Sequence, residues 1–177
     1  MSVKTDQGDR VEAVREKLFL AAHAACHDKV YRYFRRRSEG ASTAEDLTAE
    51  VFRIAWEKCC QDQELSVLMV FGIARNVLRN HNRSNARSTN LAHQLERQRI
   101  HPLGMGEDAV GEAMERLKPL EREVLLLTYW DGFTSAEVSE LLHISATAVR
   151  MRLHRARKEL SHLLGTDYVA KDVSNEQ

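Results

Sequence analysis

Guanidinium groups recur at helical spacing in two parts of the chain. In "FGIARNVLRNHNRSNAR", Arg75, Arg79, Arg83 and Arg87 return every four residues, interleaved with Asn76, Asn80 and Asn82. In "SATAVRMRLHRARKEL", Arg150, Arg152, Arg155 and Arg157 crowd one short segment behind Ser145, Thr147 and Ala148, with Met151 and His154 among them. A guanidinium fork pairs with phosphate oxygens and guanine edges, while amides and hydroxyls reach bases or phosphates. The chemistry on offer is non-covalent recognition of a nucleic acid. A third constellation differs in sign: Asp46 and Glu50 lie one helical turn apart in "AEDLTAEVF", suited to meeting a basic surface, with Leu47, Val51 and Phe52 beside them as apolar contact.

Other reactive side chains fall short of a site. His23, Cys26 and His27 in "HAACH" are zinc-ligand types, but Cys26 gives only a rough third vertex and no fourth donor is evident, so a helix-packing role is expected. Cys59 and Cys60 are adjacent, a poor geometry for a disulfide, and are read as packing residues. Trp56 and Trp130 sit in apolar helical patterns as core anchors. No nucleotide loop, paired-acid site or hydrolytic constellation is recognisable, so neither enzymatic chemistry nor a cofactor is expected.

The elements holding these residues must be helical. Over 177 residues there are 8 glycines and 2 prolines against 43% hydrophobic residues, which favours helix over a turn-rich β fold. An all-α chain of two small helical modules is the expectation. The formal net charge is 0, but residues 70–101 carry six arginines against one glutamate, residues 141–160 five bases against one acid, and residues 107–140 nine acids against three bases. Two basic blocks separated by an acidic one can leave local footprints on a polyanion despite the neutral total. No apolar run approaches the ~18 residues needed to span a bilayer, and the polar N-terminus does not read as a signal peptide. Three cysteines make no disulfide framework. No membrane insertion and a cytoplasmic location are expected.

Residues 1–10 are polar and expected to fray. Val14, Leu18, Ala21, Ala22, Ala25, Val30, Tyr33 and Phe34 repeat at helical spacing as far as Arg37. After "SEGAST", in which Ser42 or Thr43 is a candidate cap, residues 44–60 form an amphipathic helix with Leu47, Val51, Ile54 and Ala55 on one side. A third helix starts near Val67. The pattern weakens from Ser84, and "HPLGMG" is the clearest breaker. Periodicity resumes at Ala109 and lasts to about Leu164.

Within this last block a supporting helix begins near Pro119, a residue tolerated in a first turn. Thr134 or Ser135 caps the next helix, with Glu137 placed to complete a capping box. After a turn at His143 and Ile144, Ser145 caps a final helix starting at Ala146. Val149, Leu153, Ala156 and Leu160 form its buried stripe and leave the four arginines toward solvent. Such a helix-turn-helix presents its second helix to a major groove.

With these motifs in order, the chain resembles the extracytoplasmic-function class of bacterial RNA polymerase sigma factors of the sigma-70 family. "AMERLKPLEREVLLLTYWDGFTSAEVSELLHISATAVRMRLHRARKEL" is similar to their C-terminal module, which reads the −35 element. "AEDLTAEVFRIAW" resembles the polymerase-binding helix of their N-terminal module, and "FGIARNVLRNHNRSNAR" the part that melts and reads the −10 element. The resemblance implies a region 2-like domain over residues 11–90, a linker over 91–108, a region 4-like domain over 109–165 and a flexible tail over 166–177. It implies core polymerase binding by Asp46, Leu47, Glu50, Val51 and Phe52, and −10 binding by Arg75, Asn76, Arg79, Asn80, Arg83 and Arg87. It further implies −35 binding by Ser145, Thr147, Ala148, Arg150, Met151, Arg152, His154 and Arg155, and capture of a flipped base around residues 61–66. The sequence departs from the family at Asn80, where aspartate is common, and at Asn82, where an apolar residue is frequent. The implied partners are core RNA polymerase, promoter DNA and, as a regulator, an anti-sigma factor. The alternative is a stand-alone helix-turn-helix regulator, which leaves residues 11–90 without a role.

Overall fold

The computed structural model describes residues 3–59, 65–92 and 109–165, with side chains over 11–59, 65–86 and 109–165. The chain is all-α and divides into two units, Met1–Gly104 and Met105–Gln177. The first contains α1 (Val3–Arg35), α2 (Ala41–Cys59) and α3 (Val67–Ala92). Its core repeats at threes and fours on each helix: Cys26, Val30, Tyr33 and Phe34 from α1, Leu47, Val51, Ala55 and Cys59 from α2, and Val70, Phe71, Ala74 and Val77 from α3. Each helix packs on the other two, so a single apolar stripe per helix suffices to close the bundle.

Three local features differ from the sequence reading. Helix α1 starts at Val3 rather than after residue 10, because extending a nucleated helix adds one hydrogen bond per residue fixed. Helix α2 starts at Ala41, so Ser42 and Thr43 lie inside it. Gly40 supplies the turn instead, with φ +76° and a carbonyl that accepts from Ala44 N at 3.4 Å. Val14, Leu18, Ala21 and Ala25 of α1 are exposed. They lie one residue before the stripe of Arg15, Phe19, Ala22 and Cys26, which faces α2. Moreover, α1 at 33 residues runs ~50 Å, while the 19 residues of α2 reach ~28 Å and end where Cys59 Sγ donates to Arg15 O at 3.5 Å.

The second unit contains α4 (Ala109–Arg116), α5 (Pro119–Leu125), a π-helical turn (Leu126–Trp130), α6 (Ser135–Leu142) and α7 (Ala146–Leu163). Pro119 occupies the first turn of α5. The π turn, closed by Asp131 N donating to Leu126 O at 3.0 Å, lets Leu125, Leu126 and Leu127 all enter the core. The inserted residue also rotates the side chains beyond it. Trp130 is 42% exposed and Tyr129 still more so, which corrects the expectation that Trp130 anchors the core. Gly132, at φ +77°, then reverses the chain, and Phe133 returns to the interior with its N–H donating to Leu127 O at 3.0 Å.

Candidate nucleic-acid interface

Helices α6 and α7 pack as a helix-turn-helix, and local chemistry fixes both ends of the turn. Thr134 caps α6: its Oγ1 accepts from Glu137 N at 3.3 Å, and Glu137 Oε2 accepts from Thr134 N at 2.8 Å, completing the capping box. At the other end His143 adopts φ 55°, ψ 43°. Its N–H donates to Glu140 O at 3.3 Å and that of Ile144 donates to Ser139 O at 3.2 Å, the paired bonds of a Schellman stop. Ser145 opens α7 by accepting from Ala148 N at 3.1 Å. Val149, Leu153 and Ala156 are buried, whereas Leu160 is only half-buried.

Over the first half of α7 the exposed residues are Thr147, Arg150, Met151, His154 and Arg155, at i, i+3, i+4, i+7 and i+8. They share one face opposite the buried stripe. Ser145 is exposed at its N-terminal edge and Ala148 is half-buried beside it. Arg150 Nη2 donates to Thr147 Oγ1 at 3.3 Å. Arg152 and Arg157 do not join this face. Arg152 stands beside Leu153 and is half-buried with Nε enclosed, and Arg157 Nη1 donates to Tyr129 Oη at 3.2 Å. The expectation that all four arginines point to solvent therefore holds for Arg150 and Arg155 alone.

In the first unit, Ser66 caps α3 by accepting from Met69 N at 3.1 Å. The helix then exposes Asn76, Arg79, Asn80 and Arg83, again on one face. Asn76 Oδ1 accepts from Arg79 Nη2 at 3.2 Å. Arg75 is half-buried, because a four-residue repeat drifts around a 3.6-residue helix. The side chain of Arg87 and residues 61–64 of the expected base-capture loop lie outside the described residues, as do residues 93–108 of the linker and the tail 166–177.

On α2, Asp46 is exposed, whereas Glu50 is already engaged. Arg53 donates Nε and Nη2 to the two Glu50 carboxylate oxygens at 2.8 and 2.7 Å and bonds Glu57 on its other side. These bonds hold the Glu50 carboxyl below the usual carboxylate range and raise the guanidinium. Val51 is 0% exposed and Leu47 is buried, so neither offers surface. Phe52 is buried too, yet it lines a cavity of about 380 Å³ with His23, His27, Tyr31, Glu45, Thr48 and Ala49. The sequence reading missed this cavity. Its trace was the one-turn spacing of His23 and His27, whose rings lie 4.4 and 5.8 Å from that of Phe52. Cys26 points into the core, its thiol pushed up by burial, and no cluster of three or more His, Cys, Asp or Glu able to hold a metal occurs among the described residues. Cys59 is buried and Cys60 lies outside the described residues. Among the described residues no helix is long and apolar enough to cross a membrane.

Residues 107–160 match the family described as Sigma-70, region 4. The region 4 match covers the helix-turn-helix and the helices supporting it. Over a longer span the chain is similar to the ECF RNA polymerase sigma factor BldN of Streptomyces coelicolor, with 27% identity over 172 residues, 90% of this chain and 65% of that protein. It is also similar to the probable RNA polymerase sigma factor RfaY of Xanthomonas campestris pv. campestris, with 32% identity over 148 residues, 75% of this chain and 37% of that protein. The chain thus spans less than two thirds of the length of either relative. Among solved structures it is similar to the sigma factor RpoE in complex with the anti-sigma factor NepR from Bartonella quintana, at TM-score 0.62 and 24% identity, covering 89% of this chain and 99% of that one. That likeness concerns the fold.

Proposed function

We propose that the chain is a promoter-specificity subunit of bacterial RNA polymerase, of the extracytoplasmic-function class. The observation that carries this reading is the exposed α7 face from Thr147 to Arg155, set on a capped helix-turn-helix within the region 4 match. In this reading residues 109–165 bind the −35 duplex, with Arg150 and Arg155 reading base edges and Ser145 and Thr147 reaching phosphates or bases. Residues 11–90 bind core polymerase and the −10 element, residues 91–108 link the two, and residues 166–177 form a tail.

On the first unit, the Asn76, Arg79, Asn80 and Arg83 face follows non-template DNA, and Arg87 extends it. The arginines neutralise phosphates and the amides bond exposed bases, which offsets part of the cost of unstacking them. Asp46 leads the contact with a basic surface of polymerase, while Glu50, through Arg53, keeps the adjoining carboxylates in register. Leu47 and Val51 set the pose of α2 from beneath, and Phe52 acts through its cavity. An anti-sigma factor is a further partner, as for the Bartonella relative. Sigma factors are not enzymes: polymerisation belongs to the polymerase, and the chain supplies recognition and strand separation.

Run-off transcription with purified core polymerase and a genomic fragment library tests the reading. New start sites that require the chain and share two spaced upstream elements are expected. No new starts together with no core binding would refute it, and binding of a two-fold site as a dimer without polymerase would support a stand-alone regulator.

A further inference from the structure

The C-terminal end of α1 carries charge that the sequence reading left unassigned. Residues 29–40 hold Lys29, Arg32, Arg35, Arg36 and Arg37 against the single acid Glu39. Cations at a helix C-terminus interact favourably with the helix dipole, an effect confined to the last turn that one or two of them satisfy. This cluster exceeds that need.

Arg37 has a structural role. It is 8% exposed, its Nη1 donates to Tyr33 O at 3.2 Å, and its guanidinium lies 3.9 Å over the Tyr33 ring. Tyr33 in turn meets Phe71 of α3 edge-on, with ring centroids 5.6 Å apart. Arg75 stands one turn beyond Phe71 on the same helix, and the exposed Asn76–Arg83 face begins there. The arginine end of α1 is therefore clamped against the part of α3 from which that face starts.

The other arginines remain outside this clamp. Arg32 is exposed and donates Nε to Asp28 O at 3.2 Å. Arg35 is half-buried, with Nη1 enclosed and without an acceptor among the described residues. An unmade hydrogen bond from a charged donor is costly, and a small rotation toward an anionic oxygen recovers it. Arg36 is half-buried and has an interaction of its own within the chain. Two forks about one turn apart, held at the start of the α3 face, match successive phosphates better than a single ion.

We propose that Arg32 and Arg35 form a phosphate-binding patch that extends the α3 face onto α1 and takes backbone phosphates of single-stranded DNA. Arg37 is its positioning residue. The proposal rests on the reading of α3 as the strand-binding face, and its test separates the two.

Full-length chain bound to core polymerase is titrated with a fork junction carrying an oligothymidylate overhang, since phosphate contacts do not depend on sequence, and the affinity is followed over a range of salt. Each single-strand phosphate contact contributes about 0.7 to the slope of log K against log salt. The double variant Arg32→Gln, Arg35→Gln is expected to flatten that slope by about 1.4, with core affinity and melting temperature unchanged. If that variant folds poorly, Arg32→Gln alone, at an exposed position, should still flatten the slope by about 0.7. The α3 variant Arg79→Gln, Arg83→Gln should flatten it in parallel. An unchanged slope in the α1 variants beside a flattened one in the α3 variant would overturn the patch and leave the α3 reading standing. Unchanged slopes in both, or no binding to core, would remove that reading and the patch with it. An equal loss on blunt duplex would overturn the single-strand assignment.

Discussion

His143→Gly should stabilise the C-terminal unit. His143 is the non-glycine residue with positive φ among the described residues, at φ 55° in the stop between α6 and α7. A left-handed backbone costs a residue bearing Cβ roughly 1–2 kcal/mol, and this position of a Schellman stop favours glycine. The side chain is exposed, so its removal empties no cavity. Glycine also loses more chain entropy on folding, which takes back roughly 0.5–1 kcal/mol. The net expectation is a gain of about 0.5–1 kcal/mol, or about 3–6 °C for a unit of this size. Thermal unfolding followed by Trp130 fluorescence in a Trp56→Phe background isolates the relevant unit, since Trp56 lies in the other. His143→Ala should show no comparable gain, and His143→Val should melt earlier than the parent. Equal melting of the Gly and Ala variants would refute the argument from backbone strain, and a loss with Gly would mean that the imidazole makes a stabilising contact of its own.

Thr134→Ala should cost about 1 kcal/mol in the same melting assay, whereas Glu137→Gln, which retains a capping-box partner, should cost less. Folding lowers the His23 pKa below its ordinary value of 6.5, by desolvation first and by the neighbouring His27 second. The unfolded chain then takes up its proton first as pH falls through 6.5, so the stability of the first unit should decline there and hold above it. His23→Gln should flatten that decline in pH-dependent melts. Asp46→Lys should weaken binding to immobilised core polymerase without changing the melting temperature, but Glu50→Lys should alter both because Glu50 holds Arg53. Arg155→Ala should lower discrimination between a specific and a scrambled −35 duplex by roughly 1–3 kcal/mol where it makes a bidentate base contact, while Arg157→Ala, held by Tyr129, should leave discrimination intact; equal effects in competition binding would contradict the assigned face.

Much of the helix-turn-helix was legible because its signals are local. Thr134 with Glu137, Ser145 at the start of α7 and the Val149, Leu153, Ala156 stripe are all set by residues within one or two turns, so their types and spacing suffice. The features that escaped the sequence depend on contacts beyond that range. Nothing in the spacing from Leu117 to Trp130 announces the π turn, because a periodic reading assumes 3.6 residues per turn throughout. One inserted residue moved Trp130 from the inside to the outside. In α1 the pattern offered two adjacent apolar stripes, and only the reach of α2 decides which one is covered.

The candidate site obeys the same distinction. A count of charges along α7 assigns four arginines to DNA, but the helix has one outward face: Arg152 is half-buried at its flank, and Arg157 is bonded to Tyr129. On α2 the one-turn pairing of Asp46 and Glu50 was visible. That Arg53 would bind the second and leave the first free required side-chain geometry. Charge that is held within the fold positions its neighbours, while charge left on an outward face can meet a partner. This makes Asp46, Arg150 and Arg155 sharper targets than the carboxylate and arginine counts from which they were drawn.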